Sequence, residues 1–225
     1  MNDPAGEAPA SREPAAWWSP LRRIAGRAYR GVRRLGERAL HPLRRRDARG
    51  RLARLGQPRE VMVICFGNIC RSPYAAAVME RMLQADGKTT TVSQAGFFGP
   101  GRRSPDTAQA AARARGVDLA GHRSRLLTAE SAQAATLVVV METGQADRVV
   151  EEFGVSRART LMLGDLDPET ISGRDISDPY GMSQEIFATT YSRIDRCVAA
   201  LVRALPRSNS APAEGLTRPD RRPGP

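Results

Sequence analysis

The feature that most constrains the fold is an alternation of short apolar runs and helical patterns along residues 59–205. The runs have strand length and the helical segments carry apolar residues at 3.6-residue spacing. The predicted strands and helices, in chain order, are Val61–Phe66, Pro73–Ala85, Thr89–Gln94, Asp106–Arg115, a short helix from Thr128, Leu137–Met141, a helix ending at Phe153, Thr160–Leu163 and Ser183–Leu205. This α/β order predicts a small four-stranded parallel sheet flanked by helices on both faces, with ligands bound beyond the carboxyl ends of the strands.

The charge of the chain is concentrated outside this segment. The formal net charge is +11, yet residues 59–205 hold 17 basic and 17 acidic side chains, while residues 1–58 hold 14 arginines against five acids. A nucleic-acid partner would need a basic surface on the folded domain, so none is predicted. Three cysteines cannot form a disulfide framework, and the sequence begins without an apolar leader, which predicts a cytoplasmic protein.

The two ends of the chain differ in kind. Residues 1–16 and 206–225 are rich in proline and small or polar residues and are predicted to be disordered. Residues 17–58 are predicted to form a basic amphipathic helical extension, interrupted near Pro42. Its apolar stripe consists of Leu21, Ile24, Ala28, Val32, Leu35, Ala39 and Leu43. Three roles stay open for residues 17–55: contact with an anionic membrane, docking of a kinase, or a solvated helix.

The segment after the first strand has the residues of an anion-binding loop. It reads Cys65-Phe66-Gly67-Asn68-Ile69-Cys70-Arg71-Ser72-Pro73, with Ser72 predicted as N-cap and Pro73 as first helical residue. A strand, a tight loop and a helix N-terminus direct backbone N–H groups into one concavity, which suits a tetrahedral anion. Arg71 offers a planar fork for phosphate oxygens and favours a thiolate at Cys65. The lysine of a nucleotide-binding loop is missing.

This loop resembles that of the low-molecular-weight protein-tyrosine phosphatases, and Asp178-Pro179-Tyr180 is similar to their second motif. The resemblance covers about residues 59–205. It implies a flavodoxin-like three-layer sandwich and hydrolysis of phosphotyrosine without metal or cofactor, with Cys65 as nucleophile, Arg71 as phosphate clamp and Asp178 as general acid. The implied phosphate-binding residues are Phe66, Gly67, Asn68, Ile69, Cys70, Arg71 and Ser72.

The resemblance also implies supporting residues. Asn68, Ser72 and His122 would hold the loop and stabilise the thiolate, and Tyr180 would stack on the substrate ring or cover the end of the last helix. Phe97 and Phe98 follow the second strand and could line the same cleft or belong to the core, and of the two Phe97 is predicted to contact the substrate ring. Asp175 is the fallback acid. The segment Ser93-Gln94-Ala95-Gly96 departs from the family, which often has a supporting serine where this chain has glutamine.

Several interpretations of the substrate and of the reaction stay open. The residues Met182-Ser183-Gln184 resemble bacterial members linked to exopolysaccharide tyrosine kinases, which implies a tyrosine-phosphorylated protein, such as an autophosphorylated kinase, as substrate. Arsenate reductases of this fold need further thiols, and only Cys197, predicted to be core, is available beyond the loop. Phosphoarginine phosphatases tend to have threonine at the loop position where this chain has Ile69. A phosphotyrosine-binding module without turnover is the non-enzymatic alternative. Cys70 could form a reversible disulfide with Cys65 or simply pack.

Overall fold

The computed structural model describes residues 18–206, with side chains described from Leu35 onwards. The helices are α1 (Trp18–Leu55), α2 (Arg71–Ala85), α3 (Asp106–Arg113), α4 (Ala129–Ala134), α5 (Thr143–Glu151) and α6 (Gln184–Ala204). The strands are β1 (Glu60–Cys65), β2 (Thr91–Gly96), β3 (Leu137–Val140) and β4 (Thr160–Met162). Short 3₁₀ turns cover Arg157–Arg159 and Leu163–Leu166. The predicted elements of residues 59–205 are all present, each end lying within two residues of its expected place.

The four strands form one parallel sheet in the order β2-β1-β3-β4. β1 lies at its centre, pairing with β2 from Glu60 to Cys65 and with β3 from Val61 to Ile64. Each pair of neighbouring parallel strands needs a crossover, and the intervening helices supply it. The predicted α/β fold is therefore confirmed.

Alternation along β1 creates a hydrophobic core on each face of the sheet. Val61, Val63 and Cys65 point into the larger core, where α2, α3 and α6 pack. Met62 and Ile64 point into the smaller core, which α4 and α5 cover. The result is the expected three-layer sandwich, with the carboxyl end of β1 at the edge where the two layers of helices leave space.

The predicted interruption of the N-terminal helix near Pro42 is wrong. Helix α1 runs without a break through this residue. A proline in a helix leaves the carbonyl four residues earlier without its N–H partner. That carbonyl belongs to Arg38, an exposed residue, so water can satisfy it and the helix continues.

The boundary predicted between residues 58 and 59 does not separate the helix from the core of the domain, because α1 packs against that core. Ala48 and Leu52 of α1 are buried in the larger core, and His41 Nε2 lies 2.9 Å from the backbone oxygen of Asp167. The face that packs is thus not the predicted apolar stripe, because Leu35 and Leu43 are about two-thirds exposed, at 66% and 65%. The C-terminal half of α1 belongs to the folded domain. The segments predicted to be disordered, residues 1–16 and 206–225, lie outside the described residues apart from Pro206.

Candidate active site

The loop after β1 lies against the end of β2. Cys65 is in register with Gly96, and the N–H of Phe97 donates to the Phe66 oxygen at 2.8 Å. A side chain at Gly96 could not fit, because a Cβ there would lie 2.7 Å from the Asn68 nitrogen and 2.8 Å from the Phe66 oxygen. The glycine therefore allows the backbone of the loop to approach the neighbouring strand closely.

Asn68 holds the curvature of the loop. It is fully buried and has a left-handed backbone conformation, with φ of 49°. Such a conformation is costly for most residues and is tolerated best by asparagine and aspartate after glycine. Its side-chain amide donates to Ser72 Oγ at 2.8 Å and to Gln94 Oε1 at 3.0 Å, and its Oδ1 accepts from the Arg125 N–H at 2.8 Å. Three elements of the fold thus fix one strained residue.

His122 supports the same residue from its backbone side. Its Nε2 lies 2.6 Å from the Asn68 oxygen, and because a carbonyl can only accept, Nε2 carries the proton. Burial disfavours the imidazolium and lowers the pKa of His122. The ring is therefore neutral at neutral pH and acts as a hydrogen-bond donor to the loop.

Ser72 lies inside helix α2 and not at its N-cap position. Helix α2 begins at Arg71, and Cys70 occupies the cap position without a side-chain hydrogen bond. The Ser72 hydroxyl lies 3.1 Å from Cys65 Sγ, where it can stabilise a thiolate. The predictions of Ser72 as N-cap and Pro73 as first helical residue are wrong, because the helix begins at Arg71 and these residues are its second and third.

Arg71 is buried beside two carboxylates. Its Nη1 donates to Glu142 and, at 2.8 Å, to the Ile176 oxygen, and its Nη2 donates to Asp178 Oδ2 at 2.6 Å. Burial opposes the charge, but the neighbouring Cys65 and Asp178 groups raise the pKa of Arg71, so the guanidinium stays charged. Among the described residues no acceptor binds its buried Nε–H, which leaves this N–H for a phosphate oxygen.

Of the two candidate acids, Asp178 is the one at the site. It lies in the long segment between β4 and α6, and its Oδ1 accepts from the Tyr180 N–H at 3.2 Å. The fallback, Asp175, instead accepts from the N–H and hydroxyl of Thr143, at 2.9 and 2.7 Å, at the start of α5. Its carboxylate is thus occupied in fastening the segment to the sheet.

Glu142 is a site residue that the sequence reasoning missed. It follows β3 at the carboxyl edge of the sheet and forms an ion pair with Arg71. A usable signal existed, because an acidic residue directly after a buried central strand lies at the same edge as the loop after β1. Spacing from the loop motif could not have found it, since the two residues are 71 positions apart.

A cavity of about 200 Å³ opens above the loop. It is lined by Cys65, Phe66, Gly67, Ile69, Cys70, Phe98, Arg102, Asp178 and Tyr180. The structure thus brings Cys65 and Asp178 to one cavity and places the Arg71 guanidinium against Asp178. Three aromatic side chains form walls of the cavity. The rings of Phe66 and Phe98 stack with centroids 6.1 Å apart, and Tyr180 is 56% exposed.

The prediction that Phe97 contacts the substrate ring is wrong. Phe97 packs edge-on against Phe153, with centroids 5.8 Å apart, beside the smaller core, and Arg148 lies over its other side. Successive residues at the end of a strand point to opposite faces, so Phe98, not Phe97, reaches the cavity. Both residues follow the strand directly, so only the direction of each side chain in the folded sheet distinguishes them.

Comparisons with known proteins agree with this geometry. The sequence model of a family described as "Low molecular weight phosphotyrosine protein phosphatase" matches residues 60–211. The chain belongs to this family. A relative, the low-molecular-weight protein-tyrosine phosphatase Etp of Escherichia coli (strain K12), is 33% identical over 148 residues, which are 65% of this chain and 95% of the relative. The resemblance to this family, noted from the loop motif, is confirmed.

Two solved structures show the same fold. The Erwinia amylovora tyrosine phosphatase AmsI matches with a TM-score of 0.60 and 28% identity, over 67% of this chain and 95% of that one. A YwlE arginine phosphatase mutant with a phosphorylated active-site serine matches with a TM-score of 0.59 and 27% identity, over 64% of this chain and 93% of that one. This chain is thus similar to proteins named for two different phosphorylated residues, tyrosine and arginine.

Gln94 shows how this low-molecular-weight phosphatase departs from the expected family pattern. At the position where the resemblance implies a supporting serine, this chain has a side-chain amide, whose Oε1 accepts the Asn68 hydrogen bond. The longer side chain is accommodated because Gln94 is only partly buried, beside a second, polar cavity. The network that holds the loop is therefore retained with a different acceptor.

The two other cysteines of this phosphatase are buried thiols. Burial raises the pKa of Cys70 to about 12, so it is protonated at neutral pH, and its backbone oxygen accepts from Tyr191 at 3.1 Å. Burial also raises the pKa of Cys197, which lies in the larger core on α6 as predicted. Cys65 and Cys70 are both free cysteines here, and the disulfide between them stays a prediction.

Proposed function

We propose that the protein hydrolyses phosphotyrosine in proteins through a cysteinyl-phosphate intermediate. The observation that carries the proposal is the convergence of three groups: the Cys65 thiol beside a hydroxyl, the buried Arg71 guanidinium and the Asp178 carboxyl. They supply a nucleophile, a clamp for the phosphoryl oxygens and an acid for the leaving group. A binding module without turnover would need only the clamp.

The first step transfers the phosphoryl group to the enzyme. The thiolate of Cys65 attacks phosphorus, the S–P bond forms and the bond from phosphorus to the phenolic oxygen breaks, while Asp178 gives its proton to that oxygen. Arg71 and the N–H groups of the loop bind the phosphoryl oxygens as their charge is redistributed. The Ser72 hydroxyl, 3.1 Å from Sγ, stabilises the sulfur as thiolate before attack.

The second step returns the enzyme to its starting state. Asp178, now a carboxylate, takes a proton from water as the water oxygen attacks phosphorus, the S–P bond breaks and inorganic phosphate leaves. A phosphoryl group held on an active-site side chain is also present in the YwlE mutant, where it is on serine. That likeness supports a covalent intermediate at Cys65.

The shape of the cavity favours an aryl phosphate over phosphoarginine. Ile69 lines the cavity together with the Phe66 and Phe98 rings and Tyr180, which gives a slot with apolar walls. A phenyl ring buries apolar surface in such a slot, whereas a guanidinium would lose hydration there. Because a relative is named an arginine phosphatase, phosphoarginine hydrolysis is the second candidate function.

The substrate comparison is the experiment that tests the proposal. We expect the full-length protein to release phosphate from a phosphotyrosine peptide and from para-nitrophenyl phosphate, with at least a roughly tenfold lower kcat/KM on the same peptide carrying phosphoarginine. Enzyme-coupled detection of phosphate at neutral pH suits all three substrates, because the P–N bond of phosphoarginine hydrolyses in acidic colour reagents. A preference for phosphoarginine would replace the proposed function by the second candidate, and binding of the phosphotyrosine peptide without turnover would favour the binding module.

We further propose that the physiological substrate is a tyrosine-phosphorylated bacterial protein, such as an autophosphorylated kinase of exopolysaccharide synthesis. The bacterial relatives named as protein-tyrosine phosphatases support the substrate class. The residues after Asp178-Pro179-Tyr180 support the narrower assignment, through the family resemblance.

Helix α1 suits peripheral contact with an anionic membrane. In the described residues no helix is long and apolar enough to cross a bilayer. The exposed leucines Leu35 and Leu43 lie two turns apart on a helix rich in arginine, a pattern of helices that lie on membrane surfaces. These side chains are free to enter an interface because the packing face of α1 is a different one, formed by Ala48 and Leu52.

A vesicle assay tests this contact. We expect the full-length protein to co-sediment with vesicles containing anionic lipid, and the binding to weaken several-fold between low and physiological salt. The double substitution Leu35→Gln and Leu43→Gln removes the exposed leucines and should weaken binding further. Leu126→Gln changes an exposed leucine outside α1, 48% accessible, and serves as control. Binding that is equal for all variants would leave α1 as a protein-docking or solvated helix.

A further inference from the structure

One cation of the cavity has no role in the proposed reaction. Arg102 lines the cavity with Cys65 and Asp178, yet no hydrogen bond or ion pair to its guanidinium occurs within residues 35–206, whose side chains the structure describes. Its recorded polar contacts are made by the backbone, whose N–H donates to Ser124 Oγ and whose oxygen accepts from the Ser124 N–H. The other arginine at the site, Arg71, differs in that its Nη1 and Nη2 atoms form ion pairs with Glu142 and Asp178.

The Arg102 guanidinium is nevertheless held in place. Its central carbon lies 5.1 Å from the centroid of the Phe98 ring, within the range of a cation–π contact, and Phe98 stacks in turn on Phe66. On its other side the guanidinium lies over the loop, since a Cβ added at Gly67 would be 3.3 Å from Nη1. The absence of a side chain at Gly67 gives the guanidinium room to lie there.

Charge and position together favour a ligand for this cation. The carboxylates of Asp178 and Glu142 both form ion pairs with Arg71. An ordered guanidinium at the rim with free N–H groups is suited to bidentate contact with a carboxylate or a phosphate. The phosphoryl group under attack is bound by the loop and by Arg71, so the partner of Arg102 would be a different anionic group of the substrate.

We propose that Arg102 is a specificity-determining residue that binds an anionic group next to the phosphotyrosine, either an acidic side chain or a second phosphate. The inference rests on the proposed phosphatase function and adds a sequence preference to it. Phosphotyrosine in an acidic or multiply phosphorylated segment is therefore hydrolysed in preference to phosphotyrosine in a neutral one. The preference is electrostatic and weakens as salt rises.

Arg103 provides a matched control on the same loop. It is the next residue in the chain, carries the same charge and is exposed, but it does not line the cavity. Substitution of either arginine by glutamine changes the net charge equally. A long-range effect of charge would therefore be the same in both variants, whereas direct contact with the substrate would involve Arg102 alone.

The test compares kcat/KM for three phosphotyrosine peptides that differ only beside the phosphotyrosine, with glutamine, glutamate or a second phosphotyrosine at the flanking positions. We expect the full-length protein to prefer the anionic peptides over the glutamine peptide by about 3- to 10-fold at low salt. Arg102→Gln should remove this preference, and Arg103→Gln should keep it. The glutamate and doubly phosphorylated peptides separate the two sources of the anionic group.

Several results would overturn the inference. The wild-type protein could hydrolyse all three peptides equally, Arg103→Gln could lose the preference as fully as Arg102→Gln, or Arg102→Gln could lower kcat/KM on every peptide by the same factor, which would place Arg102 on the phosphoryl group itself. A failure of the proposed function is a separate outcome, because then the glutamine peptide and para-nitrophenyl phosphate would not be hydrolysed by the wild-type protein either.

Discussion

Cys65→Ser is expected to lower turnover of phosphotyrosine and of para-nitrophenyl phosphate by about 10⁴-fold or more, as loss of a nucleophile does in other covalent enzymes. A serine hydroxyl is far less ionised than a thiol, so attack on phosphorus is slow, and any phosphoserine formed is a stable ester that is not turned over. Phosphate binding should persist, because Arg71 and the loop N–H groups are unchanged. Steady-state kinetics and calorimetric titration with inorganic phosphate measure the two effects.

A second thiol variant controls for unspecific effects. Cys197 is buried on α6 and does not line the cavity, so Cys197→Ala removes a thiol without touching the proposed chemistry. Its turnover should stay within a few-fold of wild type when the protein remains folded by circular dichroism. Rapid acid quenching of the wild-type protein with substrate should also trap a phosphorylated protein. Appreciable turnover by Cys65→Ser would contradict the covalent mechanism.

Asp178→Asn is expected to separate two substrates by their leaving groups. On phosphotyrosine we expect kcat to fall by about 10²–10⁴-fold, because the phenolic oxygen leaves without a proton donor. On para-nitrophenyl phosphate the fall should be clearly smaller, since para-nitrophenolate leaves readily without protonation. The asparagine side chain keeps an oxygen for the hydrogen bond from Arg71 Nη2, which in the native protein is 2.6 Å long.

This choice of substitution distinguishes two roles of Asp178. An equal fall on both substrates would mean that the carboxylate acts through Arg71 and not as the acid. Asp175→Asn is the matched control, because Asp175 lies in the same segment but accepts from Thr143. It should not change the ratio between the two substrates. A larger substrate dependence in Asp175→Asn than in Asp178→Asn would reassign the acid.

The long segment before α6 illustrates what local sequence cannot predict. Its place depends on contacts between distant residues: the buried carboxylate of Asp167 binds Arg193 and Arg196 on α6, and Arg193 also donates to the Asp175 oxygen at 2.8 Å. The Ile176 N–H donates to the Met141 oxygen at the end of β3. The motif Asp178-Pro179-Tyr180 marked the candidate acid, but these contacts are what bring it to Arg71.

The packing face of helix α1 also could not be predicted from local sequence. Periodicity detected an amphipathic helix, because the 3.6-residue pattern is local, but it selected the stripe through Leu35 and Leu43, which is exposed in the structure. The face that packs contains His41, Ala48 and Leu52. Burial is decided by the surface available on the rest of the fold, and a stripe of leucines does not contain that information.

The α/β order, the parallel sheet and the loop after Cys65 could all be predicted, because strand and helix periods and a strand–loop–helix motif are properties of neighbouring residues. Other features are visible only in the folded chain: Phe98 and not Phe97 lines the cavity, Glu142 pairs with Arg71, and α1 packs through a face other than its leucine stripe. The physical reason is that these features depend on register and on contacts between residues far apart in the chain, which follow from how the layers pack.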